Sequence, residues 1–165
     1  MDALQMIPLT MTTMKAAAAA GTTTTYSTTG TTLYCIKGKA YSKAAATNAA
    51  TPTTDATTGS AFVAIQPGYG SVFVLGYDSA GALKVSQGTV QALDGSVTTD
   101  SAGFITSPQF PAVPDSICPF AYLVTKVGSA GSAWTFGSSN LAGPPSNVSH
   151  KFVDVMTLPD RPQVA

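Results

Sequence analysis

From residue 61 onward the chain never runs far without a turn. Short apolar segments alternate with clusters of Gly, Pro, Asp and Ser: AFVAIQ (61–66), SVFVLGY (71–77), ALKVSQGTVQAL (82–93), PFAYLVTKV (119–127), SAWTFG (132–137) and KFVDVMTL (151–158). Runs of this length, rich in Val, Phe, Tyr and Thr and bounded by turn residues, are strand signals. No amphipathic helix of ordinary length fits between them. The pattern restricts residues 61–165 to an all-β body, a small antiparallel sandwich or barrel.

The turns refine this. Asp78-Ser79-Ala80-Gly81 has Asp first and Gly last, suited to a type I turn that closes with a left-handed Gly. It predicts a hairpin of 71–77 with 82–93, bent at Gly88. The same four residues recur at Asp100–Gly103 and predict a second hairpin, 96–100 with 103–106. Gly128-Ser129-Ala130-Gly131 predicts a third, 119–127 with 132–137. Pro108, Pro111, Pro114 and Pro119 make 107–120 an extended crossing, because proline cannot donate to a central ladder. Phe110 and Val113 are expected to pin it to the body.

Residues 1–60 are different. Thr and Ala dominate, as in GTTTTYSTTGTT (21–32), and large apolar residues are few. The Ala runs 16–20 and 44–46 are too short to persist as lone helices. Such a stretch offers little apolar area against a backbone ordering cost of about 1–2 kcal/mol per residue. The expectation is an extended Thr/Ala-rich N-terminal arm, 1–60, held by a partner chain. Its assembly contacts would be Leu4, Met6, Ile7, Leu9, Tyr26, Leu33 and Tyr34. The stretch MDALQMIPLTMTTMKAAAAAG has no basic start and is interrupted by Pro8 and threonines, so it does not read as a secretory signal. No run of 18 apolar residues is present, and no membrane partner is expected. A protein made in the cytoplasm is the resulting expectation.

Charge excludes one class of partner. Charged residues are 10% of the 165, every acid is Asp, the only Arg is Arg161, and the net charge is zero. A nucleic-acid binder needs a basic patch, and only Lys37, Lys39 and Lys43 cluster at all. Net charge near zero favours association, which suits a subunit of an assembly.

The motifs of catalysis are missing: no GxSxG, HExxH, Walker loop or GxGxxG occurs. Ser149, His150 and Asp154 sit too close in sequence for a triad, which is a spatial arrangement. The oxygens of Asp94–Asp100 fit turn chemistry as well as calcium. Cys35 and Cys118 match no metal or redox spacing and are compatible with one disulfide or two buried thiols. The sequon at Asn147 has meaning only in a secreted protein. No catalytic residue, metal or cofactor is expected. Trp134, Tyr69, Tyr77 and Tyr122 could form an aromatic platform for a sugar, but core and cross-strand packing is the favoured explanation, since Tyr122 and Trp134 fall on the two arms of one expected hairpin.

The segments GYDSAGALKVSQGT (76–89), ITSPQFPAVPDSICPFAYLVTKVGSAGSAWTFG (105–137) and TLPDRPQ (157–163) resemble small β-rich virion proteins of tailed bacteriophages. In these a hairpin return is followed by a Pro-rich crossing, a "P-x-A-Y-L-V-x-K" strand, a "W-T-F-G" strand and an "LPDRP" tail. The resemblance covers about residues 70–165. It implies a structural role in the virion, as a capsid decoration (cement) protein or a head-fibre, neck or tail component. The implied partners are the major capsid protein or other virion subunits and further copies of this chain, a trimer first. It implies no catalytic residues.

Overall fold

Two long strands form the centre. β7 (Tyr69–Tyr77) and β10 (Cys118–Val127) pair antiparallel over nearly their whole length, from Tyr69 opposite Val127 to Tyr77 opposite Cys118. Both read as near-continuous apolar runs, the pattern of a strand covered on both faces. Their side chains alternate accordingly. Phe73, Leu75, Tyr77, Phe120 and Leu123 enter one core; Val72, Val74, Tyr122 and Val124 enter another on the opposite face. A bulge between Pro119 and Ala121 breaks the alternation, so that Phe120 and Ala121 both join the first core.

The computed structural model describes residues 11–12 and 16–164. Among these there is no helix, and the strands form three antiparallel sheets, none closed into a barrel. The main sheet runs β11 (Val148–Asp154), β10, β7, β8 (Leu83–Gln87), with β9 (Gln91–Ala92) pairing the first residues of β7. The second contains β1 (Met11–Thr12), β4 (Thr32–Ile36) and β5 (Lys39–Lys43); the third contains β2 (Ala19–Ala20), β3 (Thr25–Ser27) and β6 (Ala49–Ala50).

Residues 16–60 correct the expectation of an extended arm. They fold back on the body. Ala16, Ala18, Tyr26, Tyr34, Ile36 and Ala46 belong to the same buried cluster as Phe73 and Trp134. Thr12 is fully buried and donates its N–H and hydroxyl to the Met156 and Val155 carbonyls at 3.1 and 3.0 Å. The physical reason is size: small Ala and Thr side chains let short strands lie close against the sheet, and hydrogen bonds supply what apolar area does not. The β4–β5 hairpin is closed by Lys37 and Gly38, both with positive φ (50° and 79°), as a two-residue type I′ turn requires.

The β7–β8 hairpin follows its turn signature. Gly81 N–H donates to the Asp78 carbonyl at 2.9 Å, Gly81 has φ 73°, and Asp78 Oδ1 accepts from Ala80 and Ala82. β8 ends at Gln87, just before the bend at Gly88. The second DSAG does not make a hairpin. Leu93 and Phe104 bridge each other, Asp94 N–H donates to the Gly103 carbonyl, and 95–102 is a loop between them. The flanks there, SVTTD and GFIT, carry too few apolar residues to pair as strands.

The expected pairing of 119–127 with 132–137 is also corrected. Both edges of β10 are taken, by β7 and β11, so the chain after Gly131 crosses the first face instead. Trp134 bridges Ile65, with N–H to carbonyl distances of 2.8 and 3.0 Å, and its ring packs edge-on against Phe73 and Phe136. Residues 61–66 form only single bridges, at Ala61 and Ile65. The last strand begins at Val148 rather than 151 and stops at Asp154.

The second face is covered by the Pro-rich crossing and the C-terminal tail. Phe110 meets the Tyr122 ring edge-on at 5.0 Å, Val113 and Leu158 pack beside it, and the Tyr122 hydroxyl accepts the Gln163 N–H at 2.8 Å. Phe104 packs over Gly70, where a Cβ would come within 2.7 Å of its ring.

Candidate interaction surface

Of the assembly contacts expected from sequence, Leu4, Met6, Ile7 and Leu9 lie outside the described residues. Tyr26 and Tyr34 are 3% and 2% exposed and so present nothing to a partner chain. The Tyr34 hydroxyl donates to the Asp78 carbonyl at 2.9 Å, and its ring stacks on Tyr41 at 5.6 Å. Burial pushes both phenols above their ordinary range. Leu33, next to Tyr34 in β4 and opposite Ser42, faces outward and is exposed.

The aromatic platform does not exist in this structure. Trp134 and Tyr122 are both fully buried and lie in different cores, on opposite faces of the main sheet. The Trp134 indole N–H donates to the Asn140 carbonyl at 2.9 Å, so its polar edge is spent internally.

His150 sits within β11, its Nδ1 3.1 Å from the Thr125 hydroxyl and its ring 4.6 Å from that of Trp134. Burial pushes its pKa down to about 4, so the ring is neutral near pH 7. Asp154 is four positions along the same strand, about 13 Å away at the strand rise, and its Oδ1 accepts the Ala18 N–H. Ser149 points to the other face. These three residues form no triad. In the Asp94–Asp100 loop, Asp94 Oδ1 accepts the Ser96 N–H at 2.9 Å; this bond holds its carboxyl below the usual range. Among the described residues, no three His, Cys or Asp side chains come together as a metal site would need. Both thiols are free; burial pushes that of Cys118 up to about 11. Lys37 lies in the exposed β4–β5 turn and Lys39 directly after it, over the Tyr41 ring at 5.5 Å.

What the sheet does present is an apolar row. Tyr69 is opposite Ala92, and the Leu93–Phe104 bridge sets Ala92 opposite Ile105, whose N–H donates to the Ala92 carbonyl at 3.2 Å. Because residues opposite each other share a face, Tyr69, Ala92 and Ile105 stand in line. Tyr69 is 42% and Ile105 67% exposed. The row continues inward through Val127 and Val148, both buried. It is the open margin of an otherwise covered sheet. In the sequence Gly68-Tyr69-Gly70 reads as turn punctuation between strands, and nothing in the residues marks which end of a strand escapes its cover.

No family model, no curated protein and no solved structure matches the chain. No helix among the described residues is long and apolar enough to cross a membrane.

Proposed function

We propose that this chain is a bacteriophage virion structural protein, a capsid decoration or cement protein that binds the head shell and stabilises it as a homo-oligomer, a trimer first. The observation that carries this reading is the Tyr69–Ala92–Ile105 row. Apolar side chains this exposed, on a surface with few charges and no net charge, suit a protein that works against neighbours. The likeness of residues 70–165 to small phage virion proteins points the same way. The partners are the major capsid protein or other virion subunits. Attachment is shared between this row, Leu33 and the expected anchors Leu4, Met6, Ile7 and Leu9.

The test is co-sedimentation with phage particles. Tyr69→Asp combined with Ile105→Asp places charge on the row without touching either core. The double variant is expected to keep its thermal midpoint and to leave the particle fraction. Undiminished particle binding would refute the role of the row. The other reading, a host-surface or carbohydrate-binding module built on Trp134 and Tyr122, loses its motive with their burial.

A further inference from the structure

Beside the bend at Gly88 two cavities of about 500 and 460 Å³ share one wall, made of Asp55, Thr58, Gln87, Gly88 and Thr89. The first lies between the end of β8 and the Pro-rich crossing, the second between β8 and residues 60–63, and together they make one furrow around the shared wall. The size falls within the usual range of small-ligand sites. We propose that this furrow is a binding site for a neutral saccharide.

The chemistry of the lining selects that class. None of the lining residues is Lys, Arg or His, so the furrow has nothing to pair with a phosphate, sulfate or carboxylate. Asp55 is the one acid, and its carboxylate is already engaged. Oδ1 accepts the N–H groups of Thr57 and Thr58 at 2.6 and 3.2 Å, and Oδ2 accepts that of Gln87 at 3.0 Å. It has little left to offer a cation. An added peptide strand is also excluded. The outer edge of β8 is capped: the Val85 carbonyl accepts the Ala56 N–H at 2.8 Å, and Gln87 N–H is the one held by Asp55.

What remains is a set of amides and hydroxyls with free capacity. Gln91 Oε1 is held by the Thr106 hydroxyl at 3.2 Å, which fixes the amide and leaves both its N–H groups to donate. The Gln109 amide and the hydroxyls of Thr89 and Ser107 make no hydrogen bond to the described residues and are exposed. Planar amides and hydroxyls are the donors and acceptors that sugar hydroxyls match. The second lobe supplies the complementary surface. Ala61, Val63 and Val90 line it, and Val63 is 63% exposed. A pyranose has that duality, hydroxyls around its rim and C–H groups on its faces.

The wall is rigid before any ligand arrives. The Gln87 amide is clamped at both ends, its Oε1 accepting the Val63 N–H at 2.7 Å and its Nε2 donating to the Val63 carbonyl at 2.9 Å. Thr57 Oγ1 donates to the Ala112 carbonyl at 2.6 Å and lies 2.9 Å from the Ser86 hydroxyl, which ties one bank to the other. Gly88 allows the close approach: a Cβ there would meet the Val72 and Gln109 carbonyls at 3.0 and 3.2 Å. A preformed wall lowers the ordering cost of binding.

This site is separate from the attachment row, since Gln91 and Thr106 point to the face opposite Ala92 and Ile105. The experiment is an NMR titration of the full chain with maltopentaose, cellopentaose, mannopentaose and N-acetylchitopentaose, with sialyllactose as the charged control. At least one neutral probe is expected to shift the Gln91 and Gln109 side-chain amides, saturating with a Kd on the order of 1 mM. Gln91→Ala and Gln109→Ala are expected to weaken it by about 3- to 10-fold each, the effect of one neutral hydrogen bond, with the thermal midpoint unchanged. The same sugar presented as an insoluble polysaccharide distinguishes a cell-surface source from a free one. Absence of saturable shifts up to about 10 mM of every neutral probe, or binding unaffected by both substitutions, overturns the assignment.

Discussion

Replacing Asp55 by Ala removes the clasp that holds the 55–58 turn to the edge of the main sheet. Asp55 is 6% exposed and accepts three backbone N–H groups, those of Thr57, Thr58 and Gln87. Thr57 and Thr58 are exposed, so water can replace the carboxylate there, at about 0.5–1 kcal/mol each. Gln87 is half-buried within the ladder, and its orphaned N–H costs about 1–2 kcal/mol. The sum is about 3 kcal/mol, or roughly 6–12 °C in the thermal midpoint for a chain of this size. The strap stays attached through the Ala56–Val85 bond, so the protein still folds. Asp55→Asn keeps one oxygen acceptor but sets an amide N–H against that of Gln87; about half the loss is expected. Urea unfolding followed by the fluorescence of Trp134, the single and fully buried tryptophan, measures both. Amide exchange at Gln87 should accelerate in parallel. A midpoint for Asp55→Ala within about 0.5 kcal/mol of the parent, or an Asn variant worse than Ala, would refute this reasoning.

Three further outcomes are expected. His150 has a folded pKa depressed by burial to about 4 against an unfolded value of 6.5, so the unfolded state binds the extra proton between these values. Its contribution is complete above pH 6.5 and is lost as pH falls toward 4. Discounted for partial exposure, the parent should lose about 1–3 kcal/mol more than His150→Gln between pH 7 and pH 4.5 in urea titrations, and equal losses would contradict it. Trp134→Ala empties a site between Phe73, Phe136 and His150 and should cost about 3–5 kcal/mol, read by circular dichroism during urea unfolding; a loss under about 1 kcal/mol would count against its burial. Deleting residues 1–10, and with them Leu4, Met6, Ile7 and Leu9, should weaken particle binding. Deleting 1–20 should lower the midpoint as well, because it removes Thr12, Ala16 and Ala18 from the core; equal midpoints for the two deletions would contradict that.

Local signals were legible in the sequence, and pairings between distant segments were not. The β7–β8 hairpin was readable because Asp78 and Gly81 write its turn into four adjacent residues. The Pro-rich crossing was readable up to residue 117, where Phe110 and Val113 do pin it, but not to its expected end at 120: Pro119 lies inside the central strand β10, opposite Gly76 and next to the bulge. The partner of Trp134 was not readable. It is Ile65, nearly seventy positions away, chosen because β11 had already taken the open edge of β10. Residues 16–50 misled for a related reason. Their fold rests on Ala side chains small enough to lie flat and on Thr hydroxyls that bond to distant backbone, as Thr28 does to the Ala46 N–H at 3.0 Å, and composition alone resembles a linker. The apolar row and the furrow beside Gly88 depend on which strand ends escape cover, a property of the assembled sheet.

As proposed, this chain is part of a virion. The direct measurement is quantitative peptide mass spectrometry of gradient-purified phage particles from cells that produce it. The chain is expected in the particle band, in copy number comparable to the major shell subunit, and the double variant Tyr69→Asp with Ile105→Asp is expected to be released from it. Recovery of the chain in the soluble fraction, with none in intact particles, would contradict it.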